Sequence, residues 1–385
     1  MKKLNTPMPE VTSEKELNDF LFKNLTGNLQ QVIKSTVSIM VKTEMQTMRK
    51  ELMEDRPQFN GYYGRNLVSP VGKISDIQIP RFRDGNTRHA LQTMQIFDAE
   101  KDRFYNIVSN MHLVGISQRK VNDFCKLCFG KTVAPKTTKT VFEEMLNSEA
   151  FQINKKLLND SPQEYLFLDG IWVTVKSEKT GLSSKRVVLV ALGMDEQGNK
   201  QLLGFALAYA EDEKEWREFI ESLEKRGLDL TQTKLAIVDG NAGCISALER
   251  ERKDLFIQVC ISHRYRNVLK YTAHQHKKEM GSDLSKLTVS ESAEEYRNKV
   301  KEMEKRWQII APRAIRSLTF NLSMSLTYFS FSRSLWSKIR TTNVIDRTFR
   351  EVRSRTNVHF DHYNSPQSAE KYHNAIFSKL NNNYF

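Results

Sequence analysis

The sequence predicts a mixed α/β protein: a sheet-centred core interrupted by helices and preceded by an all-helical N-terminal region. Three observations carry this expectation. Two runs of strand length end alike on an acid followed by glycine, Glu164-Tyr-Leu-Phe-Leu-Asp169 before Gly170 and Lys234-Leu-Ala-Ile-Val-Asp239-Gly240. Further apolar runs, Val187–Leu192 and Leu202–Tyr209, surround them and alternate with amphipathic stretches. In residues 13–53, 95–149 and 264–335, apolar residues recur instead at steps of three and four, the helical period.

The chain has 385 residues, enough for two or three domains with a substantial core. Its formal net charge of +13 argues for a polyanionic partner, with nucleic acid foremost, because neutralising phosphates releases counterions. A ribosome-associated or membrane-surface protein would also fit the charge. Four cysteines are too few for a secreted disulfide scaffold and fit a reducing cytosol. The opening residues, Met1-Lys-Lys-Leu-Asn-Thr-Pro-Met-Pro-Glu10, hold no apolar stretch of signal-peptide length. No run reaches the ~18 apolar residues of a membrane span, so the expected location is cytoplasmic, on the nucleoid when bound to DNA, with no membrane partner.

In residues 1–57 the apolar positions from Leu17 to Leu52 predict a helix, with Ser13 as N-cap and a break near Gly27. Its narrow stripe suits either a second copy of the chain or packing within the same chain. Residues 58–90 read as a hairpin and linker, because Ile77 and Ile79 alternate with polar residues and Pro80 and Asp84-Gly85 end the run. Arg81 and Arg83 share one side of it, to grip phosphate or to form a solvated edge. Residues 91–160 read as three short helices. Ser117 opens one with the stripe Val121, Phe124, Cys125 and Cys128, and Pro135 opens the next, Lys136–Leu146. Helix, tight turn and a helix beginning in Lys and Thr is the arrangement of a helix-turn-helix DNA-binding domain, whose N-terminal residues meet base edges or phosphates; Arg119, Lys120, Lys136 and Lys139 are the candidates for that contact.

Residues 161–268 form the first part of the core. Asp195–Asn199 reads as a hairpin turn, and a helix buries Trp216, Phe219, Ile220 and Leu223 before stopping at Gly227. Trp216 is assigned a structural role. Three antiparallel strands, then a helix and parallel strands, is the order of a ribonuclease-H-like fold. Its first and fourth strands lie side by side, which would bring Asp169 and Asp239 together. The first run reads as a buried strand that delivers Asp169 to a sheet edge, since a strand interior is a costly place for an ionised group unless a partner or metal compensates, although each Asp could merely open a turn. Residues 269–335 read as a helical insertion, with the stripe Tyr296, Val300, Met303, Trp307 and Ile310 ended by Pro312. Residues 336–385 supply the C-terminal helices of the core. There Ile345, Phe349 and Val352 form the buried stripe, with Asp346, Arg350 and Arg353 along one flank. Glu351 falls on the other flank between Arg347 and Arg355, where an ion-pair ladder accounts for it.

Together these residues resemble the bacterial Mutator-type transposases, insertion-sequence enzymes of the DDE class. The resemblance runs from about Asn60 to the C-terminus. It rests on Asn60-Gly61-Tyr62 with Arg65, Pro80-Arg81-Phe82-Arg83, Gly115-Ile-Ser117-Gln-Arg119, Asp169, Trp216 with Arg226-Gly227-Leu228, and Asp239-Gly240. Cys260-Ile-Ser-His263-Arg-Tyr-Arg-Asn267 and Trp336-Ser-Lys-Ile-Arg-Thr-Thr-Asn343 close it. It implies a transposase that binds terminal inverted repeats, cleaves strands with a metal and joins a 3′-hydroxyl to target DNA. The catalytic and metal-binding carboxylates fall on Asp169, Asp239 and Asp346, the last a departure from the family's Glu. Two Mg2+ or Mn2+ ions are expected, since hard oxygen ligands suit them. Lys338, Arg340, Asn343, Arg350 and Arg353 are assigned to DNA near the site, and double-stranded DNA and a homo-oligomer, at least a dimer on DNA, are the expected partners.

Cys260 and His263, at zinc-like spacing, could join Cys125 and Cys128 in a zinc site. Against zinc, both latter cysteines fit a core stripe, and in the family the Cys-x-x-His looks structural. Two readings compete with an active transposase: a catalytically impaired, transposase-derived DNA-binding protein, motivated by Asp346, and a junction- or structure-specific nuclease on the same fold.

Overall fold

The structure is a computed structural model that describes residues 14–51, 59–69, 72–82, 92–129, 134–148, 152–158, 162–177, 179–356 and 362–384. The chain divides into two compact units, Met1–Met145 and Leu146–Phe385.

The first unit combines helices with a two-stranded ribbon. Helix α1 (Glu14–Glu51) runs unbroken through Gly27, contrary to the expected break. A single exposed glycine costs a helix only ~1 kcal/mol, which its neighbours outweigh. Val37, Val41 and Met45 of α1 pack on Leu67, Ile74, Ile77 and Ile79 of the antiparallel pair β1 (Phe59–Ser69) and β2 (Gly72–Phe82). Part of the N-terminal stripe is therefore buried within its own chain, while Leu29, Val32, Ile39 and Met40 stay exposed. Strand β2 does not stop at Pro80 but continues to Phe82, which a two-stranded ribbon permits because both strands are edges. Helices α2 (Gln92–Leu113), α3 (Gln118–Phe129) and α4 (Pro135–Asn147) follow. The first of them is one long helix, not a short one. Cys125 sits with Phe104, Val108 and Val121. Ser13, Arg83 and Gly130 lie outside the described residues, as do the side chains of Arg81, Cys128 and Lys139.

The second unit is built on a sheet with strands in the order β5-β4-β3-β6-β7. Strands β3 (Tyr165–Lys176), β4 (Ser183–Met194) and β5 (Lys200–Ala208) are antiparallel. Strand β6 (Leu235–Val238) runs parallel to β3, and β7 (Phe256–Val259) parallel to β6. The short β8 (His362–Tyr363) pairs with the far end of β3. Helices cover both faces, which is why these strands read as continuous apolar runs rather than as alternating ones. Leu166, Leu168, Leu189 and Leu203 meet Trp216, Phe219, Ile220 and Leu223 of α5 (Glu213–Glu224) and Ala247 and Leu248 of α6 (Ala242–Glu251). The alternate residues face α12 (Asn343–Thr356) and α13 (Pro366–Tyr384), with Phe205 against Phe377. Arg226 ties β5 to the chain entering this unit, donating to the carbonyls of Leu203 at 2.6 Å and Ile153 at 3.0 Å. Gly204 leaves it room, since a Cβ there would stand 2.5 Å from the guanidinium.

Between β7 and α12 the chain makes an excursion with a core of its own. It contains α7 (Ile261–Lys270), α8 (Lys277–Thr288), α9 (Ala293–Trp307), α10 (Pro312–Thr319) and α11 (Arg333–Ile339). Tyr296, Val300, Met303 and Trp307 are buried with Met280, Leu284, Ile315 and Leu318. Ile310 does not continue the stripe: α9 ends at Trp307 and Ile310 is exposed, while Pro312 opens α10. The buried Asp283 carboxylate is held by Trp307 Nε1 and by Arg306 and Lys286, so its ionised form is favoured despite burial. Among the described residues no helix is long and apolar enough to cross a membrane.

Candidate active site

Asp169 does not end its strand. Strand β3 continues past it to Lys176, because β4 goes on pairing from Asp169↔Val190 to Lys176↔Ser183. The expected sheet-edge position is thus a mid-strand one. On the other side, however, β6 stops at Val238, opposite Leu168. The pairing edge of β3 is therefore free of β6 from Asp169 onward, and Asp239 follows directly on the neighbouring strand. The parallel pairing of β3 with β6 stops at Leu168↔Val238, so the next residues, Asp169 within β3 and Asp239 just past the end of β6, come side by side.

The third acid arrives on a helix. Ile345, Phe349 and Val352 bury one face of α12, and Asp346 stands on its flank in the first turn. Carboxylate oxygens of Asp169 and Asp346 and a ring nitrogen of His263 all lie within 4.8 Å of one another. Glu351 is elsewhere, paired with Arg355 at 2.6 Å.

The electrostatics of this group follow from burial and like charge. Asp169 is only 4% exposed. Burial pushes its carboxyl well above the usual range, the charge of Asp239 adds to this, and Asp346 and Glu211 add further. Only the Gly170 N–H, which donates to Oδ1 at 2.8 Å, works the other way. Oδ2 is buried without a hydrogen-bond partner among the described residues. A buried acid with one orphaned oxygen, facing other acids, has the donor chemistry of a divalent-cation site. Asp169 and Asp346 fit such an ion directly, Asp239 adds its charge, and the His263 nitrogen borders the same space.

Glu211 is a fourth acid that sequence reasoning did not single out. Burial raises its carboxyl, and Asp239 raises it further, against hydrogen bonds from Trp172 and Asn241. Its loop is pressed onto the start of α6, where a Cβ on Gly243 would stand 2.6 Å from the backbone of Asp212. The signal was present in the sequence, since Glu211 follows an apolar strand much as Asp239 does.

The placement of Asp346 depends on a latch. Cys260, at the start of α7, receives hydrogen bonds on Sγ from the Thr342 backbone N–H at 3.2 Å and the Thr342 hydroxyl at 3.4 Å. The same hydroxyl oxygen lies 3.2 Å from His263 Nδ1. With the Thr342 proton directed at sulfur, its oxygen accepts from Nδ1–H, and the imidazole lone pair is left on Nε2. Burial and the nearby Arg266 hold the His263 ring below its ordinary value, which favours this neutral form. Thr342 also accepts the Asp346 backbone N–H at 3.0 Å, and Ile261 N–H donates to the Arg340 carbonyl at 3.1 Å. Entry to the excursion and return from it are thus fastened together beside the acids. Arg266 completes the arrangement with a 2.8 Å ion pair to Asp346.

The remaining residues singled out from sequence are spread more widely. Arg119 and Lys120 are exposed on the first turn of α3, and Lys136 on that of α4. Lys338 and Asn343 line a cavity of about 530 Å³ with Lys200, Arg347 and Glu351, in which Asp346 takes no part. Arg350 and Arg353 are exposed on α12, whereas Arg340 donates to the Thr288 carbonyl at 3.2 Å. Trp216 is buried in the core.

This geometry can be set beside known proteins. A model of the Mutator family of transposases matches residues 4–385. The chain belongs to that family. It is 24% identical over 352 residues to the transposase for insertion sequence element ISRM5 of Rhizobium meliloti, covering 90% of this chain and 86% of that one. Identity to the transposase for IS256 in Tn4001 of Staphylococcus aureus is 27% over 318 residues, 82% of this chain and 79% of the relative. With the transposase for IS905 of Lactococcus lactis it is 24% over 301 residues, 77% and 73%. As a member of the Mutator family, the chain carries its acids on a strand, a neighbouring strand end and a distant helix.

Proposed function

We propose that this transposase cuts and joins DNA through a divalent-metal site held by Asp169, Asp239 and Asp346. The observation that carries the reading is the convergence of acids from β3, the end of β6 and the flank of α12, with Asp169 buried and its Oδ2 unsatisfied. Bound Mg2+ or Mn2+ would neutralise the cluster and polarise a phosphodiester for in-line attack. The chain's own residues prepare that event. Gly170 N–H fixes one oxygen of Asp169 and leaves the other free to act as a ligand. The Cys260–Thr342–His263 contacts hold α12 so that Asp346 stays in register, and Arg266 neutralises part of its charge. The nucleophile is water for cleavage and a freed DNA 3′-hydroxyl for strand transfer.

A ribonuclease-H-like core is supported by the strand order, with the fourth strand parallel to the first and the second and third antiparallel to it. A helix-turn-helix reading of α3 and α4 is supported by the exposed Arg119, Lys120 and Lys136 on their first turns. Terminal-repeat DNA is the proposed partner of that region. Arg350 and Arg353 serve backbone phosphates near the acids, and the exposed apolar positions of α1 serve pairing with a second copy.

Incubation of the purified protein with duplexes copied from the DNA bordering its gene, with and without Mg2+, tests the reading. Metal-dependent nicking at a defined position is expected. Binding without nicking at any metal concentration would leave a transposase-derived DNA-binding protein, and equal nicking of unrelated branched DNA would leave a structure-specific nuclease.

A further inference from the structure

A second cavity adjoins the acids from the side of the helical excursion. It encloses about 370 Å³, and its wall includes Asp239 and Gly240 on one side and Tyr271, Arg313, Arg316 and Phe320 on the other. Three features distinguish it from an ordinary surface hollow. First, it shares a carboxylate with the proposed metal site. Second, neither Arg313 nor Arg316 has a carboxylate partner among the described residues, although both are exposed. Third, two aromatic rings stand open to solvent at its mouth, with Tyr271 41% and Phe320 69% exposed.

The chain holds these rings there by construction. Arg264, itself buried, sends its guanidinium to the carbonyls of Ser317, Leu318 and Phe320 and to Ser325 Oγ, which pins the turn after α10. Asn321 adopts the left-handed conformation just beyond, at φ 47°. Phe320 is thereby turned outward from a rigid base instead of joining the core immediately behind it. Arg313 lies over the Tyr271 ring at 5.0 Å and fixes its plane. Exposed aromatic rings beside guanidinium groups that no carboxylate neutralises are the elements from which proteins build seats for single, unstacked nucleotides.

We propose that this cavity receives one nucleotide of the DNA strand being cut, unstacked from the duplex next to the scissile phosphate. Phe320 stacks the base, the Arg313–Tyr271 pair borders it, and Arg316 takes the adjoining phosphate. The proposal rests on the reading of the acids as a phosphodiester-cleaving site. Extracting the nucleotide would draw the phosphate beside it toward Asp239 and limit cleavage to ends that open easily.

The test uses the full chain and border duplexes carrying 2-aminopurine singly at each position within three nucleotides of the cut. In Ca2+, which permits assembly while suppressing cleavage, one position should brighten several-fold on binding of the wild-type protein. Phe320→Ala and Arg316→Ala should abolish that rise and slow cleavage in Mg2+ by about tenfold, with duplex affinity changed less than threefold. Both side chains are exposed, so unchanged melting temperatures are expected. A mismatch at the brightening position removes the unpairing cost and should restore cleavage by Phe320→Ala to near the wild-type rate. Wild-type cleavage with no brightening position, or variants that cleave as the wild type does, would overturn the pocket and leave the acid site standing. A wild-type protein that cuts no border duplex would remove both.

Discussion

Asp169 and Asp346 reach the same few ångströms by opposite means. Asp169 is set by the register of β3, wedged between apolar neighbours in an interior strand, and cannot move without the sheet. Asp346 stands on the flank of a helix whose start is held, through the Thr342 backbone and hydroxyl, by the sulfur and imidazole of a residue pair about eighty positions earlier. The first acid is placed by the hydrophobic core and bears the cost of burial. The second is placed by a few polar contacts and keeps a quarter of its side chain exposed. A site built this way has one fixed wall and one adjustable wall.

The contrast can be broken most strongly at the fixed wall. Asp169→Asn is expected to abolish metal-dependent nicking, by at least ~10³-fold, while leaving DNA binding near the wild-type level in a mobility-shift assay. Normal strand transfer by that variant would take Asp169 out of the chemistry. At the adjustable wall, Thr342→Val removes the hydroxyl that links Cys260 to His263 but keeps the shape. Nicking should fall ~10- to 100-fold with a raised Mg2+ requirement, and Thr342→Ser should recover most of it. A Thr342→Val protein with wild-type metal dependence would show that the latch does not set the acid's position.

Asp346→Glu probes the same wall more gently. The longer side chain can be accommodated on a partly exposed flank, so nicking should stay within about threefold of wild type or rise. Complete loss would mean that the site has closed around the shorter acid.

The smallest effect is on stability, and its sign follows from the raised carboxyl of Asp169. With a native value above the unfolded one, this carboxyl holds its proton more tightly in the folded protein, so its own contribution to stability is greatest at acidic pH. It then declines as pH rises from about 4 through the raised value. Without added metal at neutral pH, Asp169→Asn should therefore melt higher than wild type, by about 2–4 °C per kcal/mol relieved. The gap should narrow as pH falls toward 4. A gap that does not change with pH would point to packing rather than charge.

Much of this design could be read from residues alone, and the boundary of legibility is physical. The strands β3 and β6 announce themselves as apolar runs of strand length, and the stripe Ile345, Phe349 and Val352 fixes which flank of α12 carries Asp346. The choice of Asp346 over Glu351 rested on the same helical geometry, with Glu351 assigned to a local ladder. What stayed hidden was set by tertiary pairing. That β3 runs through Asp169 depends on how far β4 extends, and the proximity of Glu211 to Asp239 depends on the close approach at Gly243. The Thr342 hydroxyl sits in a run that reads as an ordinary helix start, and nothing local signals that its partner is Cys260. Gly27 misled in the other direction, because a weak local preference was outweighed by the residues around it.

The hydrogen bond from Ile261 to the Arg340 carbonyl has an evolutionary corollary. A polypeptide that departs and rejoins at one knot behaves as a cassette: doubling the length of a flexible closed segment costs only ~0.6 kcal/mol, so its size is nearly free to drift. Lineages could lengthen, trim or exchange everything between those two residues, and with it whatever the outer helices grasp, while inheriting the cutting chemistry intact.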